Sequence, residues 1–360
     1  MGLQTLELRD FRLFDSFVLR PDPHAITVLM SDNGTGKTSI LEAVYALATA
    51  TSFRTSSAAD MIRNQQTVAE VHGVLTQHDR RVQVDLTLTR SSRNVVKRML
   101  VNGQRPRSRS DLAEAIPVTV FTPEGVDMIR HGPDARRQFL TTLMTDVDLR
   151  TGELVERFER TLRQRNAHLR SLVGDYPSPS AQEELNAWTT DFVNVSHELL
   201  IARRRLVSQL SDLVTHFYVE LAGAPLAVTI KYDTSWHGDL ADALRNARDE
   251  EHHRGYTTIG PHRDDLVLML DDRDARRQAS QGEQRCLALA LRLAGHELVR
   301  ETRQVTPLLL LDDVFSELDP LRSKRLLGLL PAGQTLVTTA SPLPRSMDPA
   351  VVVSLSGSVT

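Results

Sequence analysis

The segment LMSDNGTGKTSILEAVYALA, at residues 29–48, constrains the fold of this chain more than any other segment. The apolar run at residues 25–30, which leads into this segment, predicts a buried strand, and the apolar spacing over residues 37–50 predicts a helix after a glycine-rich turn. A strand, turn and helix in this order surround a small volume with backbone N–H groups and a helix N-terminus, which together bind phosphate. The segment matches the phosphate-loop pattern G-x-x-x-x-G-K-[ST] except at Ser31, which replaces the first glycine.

We expect this loop to bind a nucleotide, although a glycine-rich turn that binds nothing is the alternative. Lys37 would contact the β- and γ-phosphates, and the Thr38 hydroxyl would ligate Mg²⁺. If Ser31 had a positive φ, the strain would cost about 1–2 kcal/mol, which is too little to abolish a site built from several other groups. The predicted nucleotide-binding residues of the loop are Ser31, Asp32, Asn33, Gly34, Thr35, Gly36, Lys37, Thr38 and Ser39.

A second motif, LLLLDDVFSELD at residues 308–319, predicts an apolar strand that ends in two carboxylates. Carboxylates in this position lie beside the phosphate loop at the carboxyl edge of a parallel sheet, where they can hold Mg²⁺. Asp312 is the predicted metal-side carboxylate, and Asp313 is predicted to orient or deprotonate the attacking water. Lys37 and Asp313 are therefore the predicted catalytic residues. An acidic cap on a buried strand is the alternative, and the phosphate loop in the same chain argues against it.

The segment ASQGEQRCLALALRLAG, at residues 279–295, predicts an amphipathic helix that begins near Ser280. Ser280 and Glu283 fit a capping box, which is a purely structural role. With Gly282 they also match the Ser-x-Gly-Glu/Gln signature of ATP-binding-cassette proteins. In that arrangement the signature helix of one subunit points at the γ-phosphate held by the other. We therefore predict that Ser280, Gly282 and Glu283 bind nucleotide across a homodimer.

The remaining pattern predicts an α/β lobe that is interrupted by helices. Strand–helix alternation at both ends predicts an ATPase lobe of residues 1–133 plus 223–360, with an inserted helical arm domain at residues 134–222. A hydrophobic content of 41% is typical of a globular protein, and no apolar run has the length of a membrane span. We therefore predict a cytoplasmic protein with no membrane partner.

Residues 90–110 carry several basic side chains and no acid, and they include the turn-forming pair Asn102-Gly103. A basic hairpin can lie along a phosphate backbone, where affinity comes from counterion release and falls steeply with salt. A solvated basic hairpin without a ligand is the alternative. The DNA-binding candidates are Arg93, Lys97, Arg98, Arg105, Arg107 and Arg109.

Several segments resemble the RecF family of recombination-mediator ATPases, and the resemblance covers nearly the whole chain. They are LELRDFRLF, SILEAVYALATATSFRT, VFTPEGVDMIRHGPDARRQFL, RQRNAHLR and GPHRDDL, of which the last, at residues 260–266, is the most specific. The resemblance implies an α/β fold, namely an ABC-type ATPase head with a mixed β-sheet core and a helical arm, similar to SMC-like heads. It also implies that ATP is the nucleotide and that Arg12 lies near it. For GPHRDDL, a turn with an ion pair is the alternative interpretation.

The resemblance further implies a function in DNA replication, in recombinational DNA repair and in the SOS response. Such a protein would dimerise on ATP and bind duplex DNA, including gapped DNA and junctions of single and double strands. It would assist RecR, together with RecO, in loading RecA. Its weak, DNA-stimulated ATPase would act as a switch, and the protein would be associated with the nucleoid.

Some features distinguish this chain from other cassette ATPases. Asp313 stands where transporter-type cassettes have a longer glutamate, so we expect slow hydrolysis. Thr338 and Thr339 occupy the position of the transporter switch histidine. A transporter ATPase subunit and an ATP-dependent scaffold without DNA affinity are the alternatives. A chromosome-maintenance ATPase with long coiled-coil arms is disfavoured because no heptad pattern persists.

Overall fold

The computed structural model describes residues 1–77, 80–92, 94–174 and 178–355, with only the backbone of Arg109. The strands are β1 Gly2–Phe11, β2 Phe14–Leu19, β3 Ile26–Met30, β4 Val68–Gln77, β5 Arg80–Arg90, β6 Val95–Val101, β7 Val118–Phe121, β8 Val228–Asp233, β9 Asp265–Leu270, β10 Arg273–Asp274, β11 Leu308–Asp312, β12 Thr335–Thr339 and β13 Val351–Ser354. The helices are α1 Lys37–Thr49, α2 Arg109–Ala115, α3 Asp127–Arg130, α4 Pro133–Val147, α5 Thr151–Ser171, α6 Pro179–Ala222, α7 Leu240–Asn246, α8 Arg248–Arg254, α9 Ala275–Gln278, α10 Gln281–Arg303 and α11 Pro320–Leu329.

Helix α1 lies between two five-stranded sheets. One sheet is antiparallel with the strand order β2-β1-β4-β5-β6, and the other is parallel with the order β13-β3-β12-β11-β7. Ile40, Leu41 and Leu47 of α1 share one hydrophobic core with side chains of both sheets. Because α1 is buried against a sheet on each of two opposite sides, most of its residues are apolar or small. This packing also fixes the position of the helix that follows the phosphate loop.

Strand β11 separates this core from a second one on the other face of the parallel sheet. Leu308 and Leu310 belong to the core around α1, whereas Leu309 and Leu311 belong to the core that contains α10. A strand covered on both faces has a continuous apolar run, as this one does. Because β3, β12 and β11 are neighbours in this order, the segments that follow them meet at one edge of the sheet.

The long helices α4, α5 and α6 pack on one another, and α4 and α6 also pack on α10 and on the antiparallel pair β8–β9. Buried polar pairs link these elements. Arg165 of α5 donates to Glu251 of α8 at 2.6 Å, and both side chains are almost fully buried. Residues of α4 and α6 share one hydrophobic core with α10 and with the parallel sheet. The separation of an arm at residues 134–222 from the ATPase lobe stays a prediction.

Helix α6 has 44 residues and is the longest helix of the described chain. Its buried residues, such as Leu199, Leu206 and Leu210, alternate with exposed charged residues, such as Arg204 and Arg205. This helix therefore presents one face to the protein core and the other to water. Within the ranges that the structure describes, no helix is both long enough and apolar enough for a bilayer crossing.

Two local features differ from the sequence prediction. The Asn102-Gly103 turn is present, with positive φ at both residues, but only a single bridge between Val101 and Gln104 follows it before α2. The basic segment is therefore not one hairpin around this turn. Strand β13 was missed because a short apolar segment becomes a strand only when a sheet edge, here that of β3, is available to it.

Replacing Arg165 with alanine should lower the free energy of unfolding by about 3–5 kcal/mol, because it leaves the buried carboxylate of Glu251 without its cation. Urea denaturation measures this loss. The matched control is Arg157→Ala, since Arg157 and Glu198 form a pair at 3.0 Å in which both side chains are about half exposed. The control should lose less than about 1 kcal/mol. Equal losses in the two variants would contradict the role of the buried pair.

Candidate nucleotide-binding site

The phosphate loop connects β3 to α1 and turns sharply at its two glycines. Gly34 has a φ of 85° and Gly36 a φ of 98°, which lie in the left-handed region that favours glycine. A Cβ atom on Gly36 would lie 2.7 Å from the ring of Phe14, so a side chain has no room there. The turn brings the first N–H groups of α1 to the carboxyl edge of the parallel sheet, where they can bind an anion.

Lys37 points back into its own loop. Its Nζ donates to the carbonyl oxygen of Ser31 at 2.5 Å and to that of Asp32 at 2.6 Å. Burial lowers the pKa of Lys37, while the nearby carboxylates of Asp313, Asp312 and Asp32 oppose this shift. The ammonium group is thus held at the mouth of the loop by neutral acceptors, which charged phosphate oxygens can replace.

Ser31 fits the loop without strain. It is not among the residues with positive φ, so the cost considered for a serine at the first glycine position does not arise. Its Oγ donates to Thr35 Oγ1 at 2.6 Å, and Thr35 Oγ1 donates to the carbonyl oxygen of Asp32 at 3.0 Å. The serine therefore adds a hydrogen bond that holds the loop closed.

Asp312 joins three elements at the end of β11. Its Oδ1 accepts hydrogen bonds from Thr38 Oγ1 of α1 at 2.8 Å and from Thr338 Oγ1 of β12 at 2.6 Å. Burial raises the pKa of Asp312, and the hydrogen bonds from the two threonines partly offset this shift. Thr338, predicted at the switch position, thus contacts the predicted metal-side carboxylate.

Asp313 has a strained backbone and an unpaired oxygen. Its φ is 48°, in the left-handed region, and its N–H donates to both the carbonyl and the hydroxyl oxygen of Thr338, at 3.1 and 3.0 Å. Its Oδ1 is buried and has no hydrogen-bond partner among the described residues. Strain and an unpaired buried acceptor at one residue are typical of functional sites.

Most of the phosphate loop, the start of α1 and the end of β11 line one cleft of about 640 Å³. The predicted site residues that line it are Arg12, Asn33, Gly34, Gly36, Lys37, Thr38, Ser39, Asp312 and Asp313. Ser31, Asp32 and Thr35 instead form the hydrogen bonds within the loop. The sequence prediction missed Arg54, Asn64 and Arg90 as lining residues, because they come from separate segments that only the fold brings together.

The donors around Thr38 and Asp312 fit a Mg²⁺ ion. Both residues offer oxygen atoms, the hard ligands that Mg²⁺ prefers. Thr38 Oγ1 and Asp312 Oδ1 lie 2.8 Å apart, close to the roughly 3 Å between neighbouring ligands of an octahedral site with 2.1 Å bonds. The unpaired buried oxygen of Asp313 lies in the same cleft. In the described ranges, no group of three or more histidine, cysteine or acidic residues forms a metal cage. A Mg²⁺ ion that is shared with nucleotide phosphates does not need one.

The predicted signature lies outside this cleft. Ser280 is exposed and caps α10: its Oγ accepts from the Glu283 N–H at 3.3 Å, and its own N–H donates to Glu283 at 2.7 Å. The predicted capping box is therefore confirmed. Gly282 lies beneath the guanidinium of Arg322: a Cβ atom there would lie 2.7 Å from Arg322 Nη1, so a larger residue would require that arginine to move. Ser280, Gly282 and Glu283 do not line the cleft of their own chain.

The predicted DNA-binding residues divide into separate groups. Lys97 donates to the carbonyl oxygen of Ala50 at 2.8 Å, beside α1, and Arg98 points to the opposite face of β6. Arg105 and Arg107 are exposed and come after the C-terminal end of β6. That end lies about 20 Å from the start of the strand, near which Lys97 lies. Arg93 and the side chain of Arg109 lie outside the described residues.

The GPHRDDL turn makes mainly structural contacts. Asp264 accepts from the Tyr232 hydroxyl at 2.6 Å, and burial raises the pKa of Asp264 while this hydrogen bond opposes the shift. Asp265 accepts two hydrogen bonds from Arg136 of α4, at 2.7 and 2.9 Å, and Pro261 O accepts one from Arg203 of α6. The turn therefore joins β8 and β9 to the long helices, and it does not line the cleft.

Comparison with known proteins places this chain among RecF-related sequences. A family model described as "RecF/RecN/SMC N terminal domain" matches residues 2–346. The "DNA replication and repair protein RecF" of Acidothermus cellulolyticus is 37% identical over 355 residues, which cover 95% of this chain and 94% of the relative. The protein of the same name from Frankia alni is 36% identical over 358 residues, with coverages of 94% and 93%.

Solved structures share the fold. The "Structure of the recombination mediator protein RecF-ATP in RecFOR pathway" matches with a TM-score of 0.87 at 23% identity, covering 98% of this chain and 95% of the other. An Smc head domain from Pyrococcus furiosus matches with a TM-score of 0.53 at 16% identity, covering 94% and 90%. The fold is thus that of an SMC-like, ABC-type ATPase head, as predicted. Together with the matches in sequence, this shows that the chain belongs to the RecF family.

Replacing Asp312 with asparagine should raise the free energy of unfolding at pH 7. The asparagine oxygen still accepts from Thr38 and Thr338, whereas the cost of burying a charge is removed. Since the folded-state pKa of Asp312 is raised, its charge costs stability above that pKa, and the cost fades as the pH falls through it. The gain in the variant should therefore shrink on acidification.

Urea denaturation of both proteins over a pH series measures this gain. The control is Asp319→Asn at the N-cap of α11, where hydrogen bonds, led by that from the Arg322 N–H, lower the pKa of the carboxyl group. This control should show no gain at pH 7. A loss of stability in Asp312→Asn at pH 7, or a gain that grows as the pH falls, would contradict the prediction.

Proposed function

We propose that this chain is an ATP-driven switch for DNA repair, in which ATP closes two subunits into a dimer that binds DNA. The observation that carries the proposal is the separation of the two nucleotide motifs within one chain. The phosphate loop, Asp312 and Asp313 share a cleft, whereas the capped and exposed start of α10 at Ser280 lies outside it. A second subunit would supply its own Ser280, Gly282 and Glu283 to the phosphates, because a helix N-terminus attracts anions.

Within the cleft, ATP phosphates would replace the loop carbonyls as partners of Lys37 and would contact the N–H groups of α1. Mg²⁺ held by Thr38 and Asp312 would neutralise part of the phosphate charge. Asp313 would orient the attacking water through its unpaired oxygen and accept a proton from it. Because aspartate is shorter than glutamate, we expect slow turnover, which suits a switch that DNA accelerates.

The RecF family membership supports a role in DNA replication and repair. Relatives carry that name, and one structural neighbour is described as a recombination mediator in the RecFOR pathway. By this analogy the ATP-bound dimer would bind duplex DNA at gaps and at junctions with single strands, and would assist RecR and RecO in loading RecA. Arg105 and Arg107 are exposed cations that can contact a phosphate backbone.

The dimer is tested by light scattering with Mg²⁺-ATP, with ADP and without nucleotide. Only Mg²⁺-ATP should double the mass. Ser280→Arg should keep monomeric ATP binding but abolish the dimer, since its bulk and charge occupy the contact. Ser280→Ala is the matched control and should still form the dimer. It loses the helix cap, worth about 1 kcal/mol, but adds neither bulk nor charge at the contact. A dimer that persists in Ser280→Arg, or that forms without ATP, would contradict the proposal.

DNA contact is tested by reversing Arg105 and Arg107 to glutamate and titrating duplex DNA at several salt concentrations with ATP. If each arginine neutralises one phosphate, the slope of log affinity against log salt should become shallower by about 2. The matched control reverses Arg204 and Arg205, two exposed arginines of α6. Equal effects of both double variants would indicate a non-specific charge effect and contradict the proposed contact.

A further inference from the structure

Glu42 is a buried carboxylate in the helix that follows the phosphate loop. Its side chain is completely buried. Oε2 accepts from Arg12 Nε at 2.7 Å, and Oε1 accepts from the Arg12 terminal nitrogen Nη2 at 2.5 Å. Oε1 also accepts from the Ser52 hydroxyl, and Arg54 Nη1 lies 3.6 Å from Oε2. A carboxylate buried at this depth is costly unless cations and hydrogen-bond donors compensate for it.

The partners of Glu42 come from two segments that form walls of the cleft. Arg12 lies in the turn between β1 and β2 with a φ of 54°, a strained conformation that its neighbours must hold. Arg54 follows α1, and the Ser52 hydroxyl that binds Glu42 also accepts from the Arg54 N–H at 2.9 Å. Arg12 and Arg54 line the cleft, whereas Glu42 does not. Glu42 can therefore affect a ligand only through its partners.

We propose that Glu42 is a positioning residue, which fixes the guanidinium groups of Arg12 and Arg54 so that they meet the phosphates of the bound nucleotide. The inference rests on the proposed function of the cleft. Arg12 directs two of its five N–H donors at Glu42, and this pairing fixes the plane in which the other three point. Holding both arginines before the ligand arrives reduces the side-chain entropy that binding would otherwise lose.

The proposed role requires both the negative charge of Glu42 and its two carboxylate oxygens. Glutamine has the same shape, but its amide nitrogen cannot accept from Arg12, so one of the two parallel hydrogen bonds is lost. The amide group also carries no charge to attract Arg54. Lysine at position 12 keeps the positive charge but cannot pair with both carboxylate oxygens in a fixed plane.

The test is a double-mutant cycle on Mg²⁺-ATP affinity, measured by isothermal titration calorimetry. Glu42→Gln should weaken binding about tenfold in the wild-type background, but less than about twofold when Arg12 and Arg54 are already alanine. In steady-state assays Glu42→Gln should raise KM for ATP by a similar factor and leave kcat within about twofold, since it removes binding rather than chemistry. Arg12→Lys should lose most of the affinity that Arg12→Ala loses.

The matched control is Glu251→Gln, which alters an equally buried glutamate that pairs with Arg165, outside the cleft. It should lower the thermal midpoint and leave ATP affinity unchanged. An equal loss for Glu42→Gln in both backgrounds, or no loss at all, would overturn the positioning role while the proposed function stands. Wild-type protein that binds no ATP would instead overturn the proposed function itself. If Glu42→Gln does not fold, the Arg12→Lys variant provides the test instead. If that variant keeps the full affinity for Mg²⁺-ATP, the inference is overturned.

Discussion

The hydrogen bonds that converge on one oxygen of Asp312 organise the candidate site. Thr38 brings the start of α1 to this oxygen and Thr338 brings the end of β12, so the phosphate loop, the central strand and its neighbour are tied at one point. The same β12 residue accepts from the Asp313 N–H and thereby holds that residue in its left-handed conformation. A change that moves one of these elements therefore moves the phosphate loop, Asp312 and Asp313 together.

Several groups of the site are held in environments or conformations that lower the stability of the fold. Burial raises the pKa of Asp312 and lowers that of Lys37, and Asp313 combines a positive φ with an unpaired buried oxygen. The two hydrophobic cores on the faces of the parallel sheet offset these costs, because their packing holds α1 and β11 in place. This division of roles is typical of sites in which function opposes stability.

Arginine has three different roles in this chain. Arg136, Arg165 and Arg203 are buried and hold helices to the β8–β9 pair and to α8 through carboxylates and carbonyls. Arg12 and Arg54 lie at the cleft and share the buried carboxylate of Glu42. A third group, including Arg105 and Arg107, is exposed, and its predicted contact with DNA stays a prediction.

The sequence by itself determined the strand–turn–helix of the phosphate loop, the buried strand that ends in Asp312 and Asp313, and the capped helix at Ser280. Each of these depends on local spacing of apolar residues, glycines and caps, which a linear pattern records. Only the tertiary structure decided that Ser31 is unstrained, that β13 pairs with β3, and that Arg54 and Arg90 reach the cleft. It also assigned GPHRDDL to a structural junction and gave Glu42 its partners. These outcomes depend on contacts between segments far apart in the chain, and no local preference encodes such contacts.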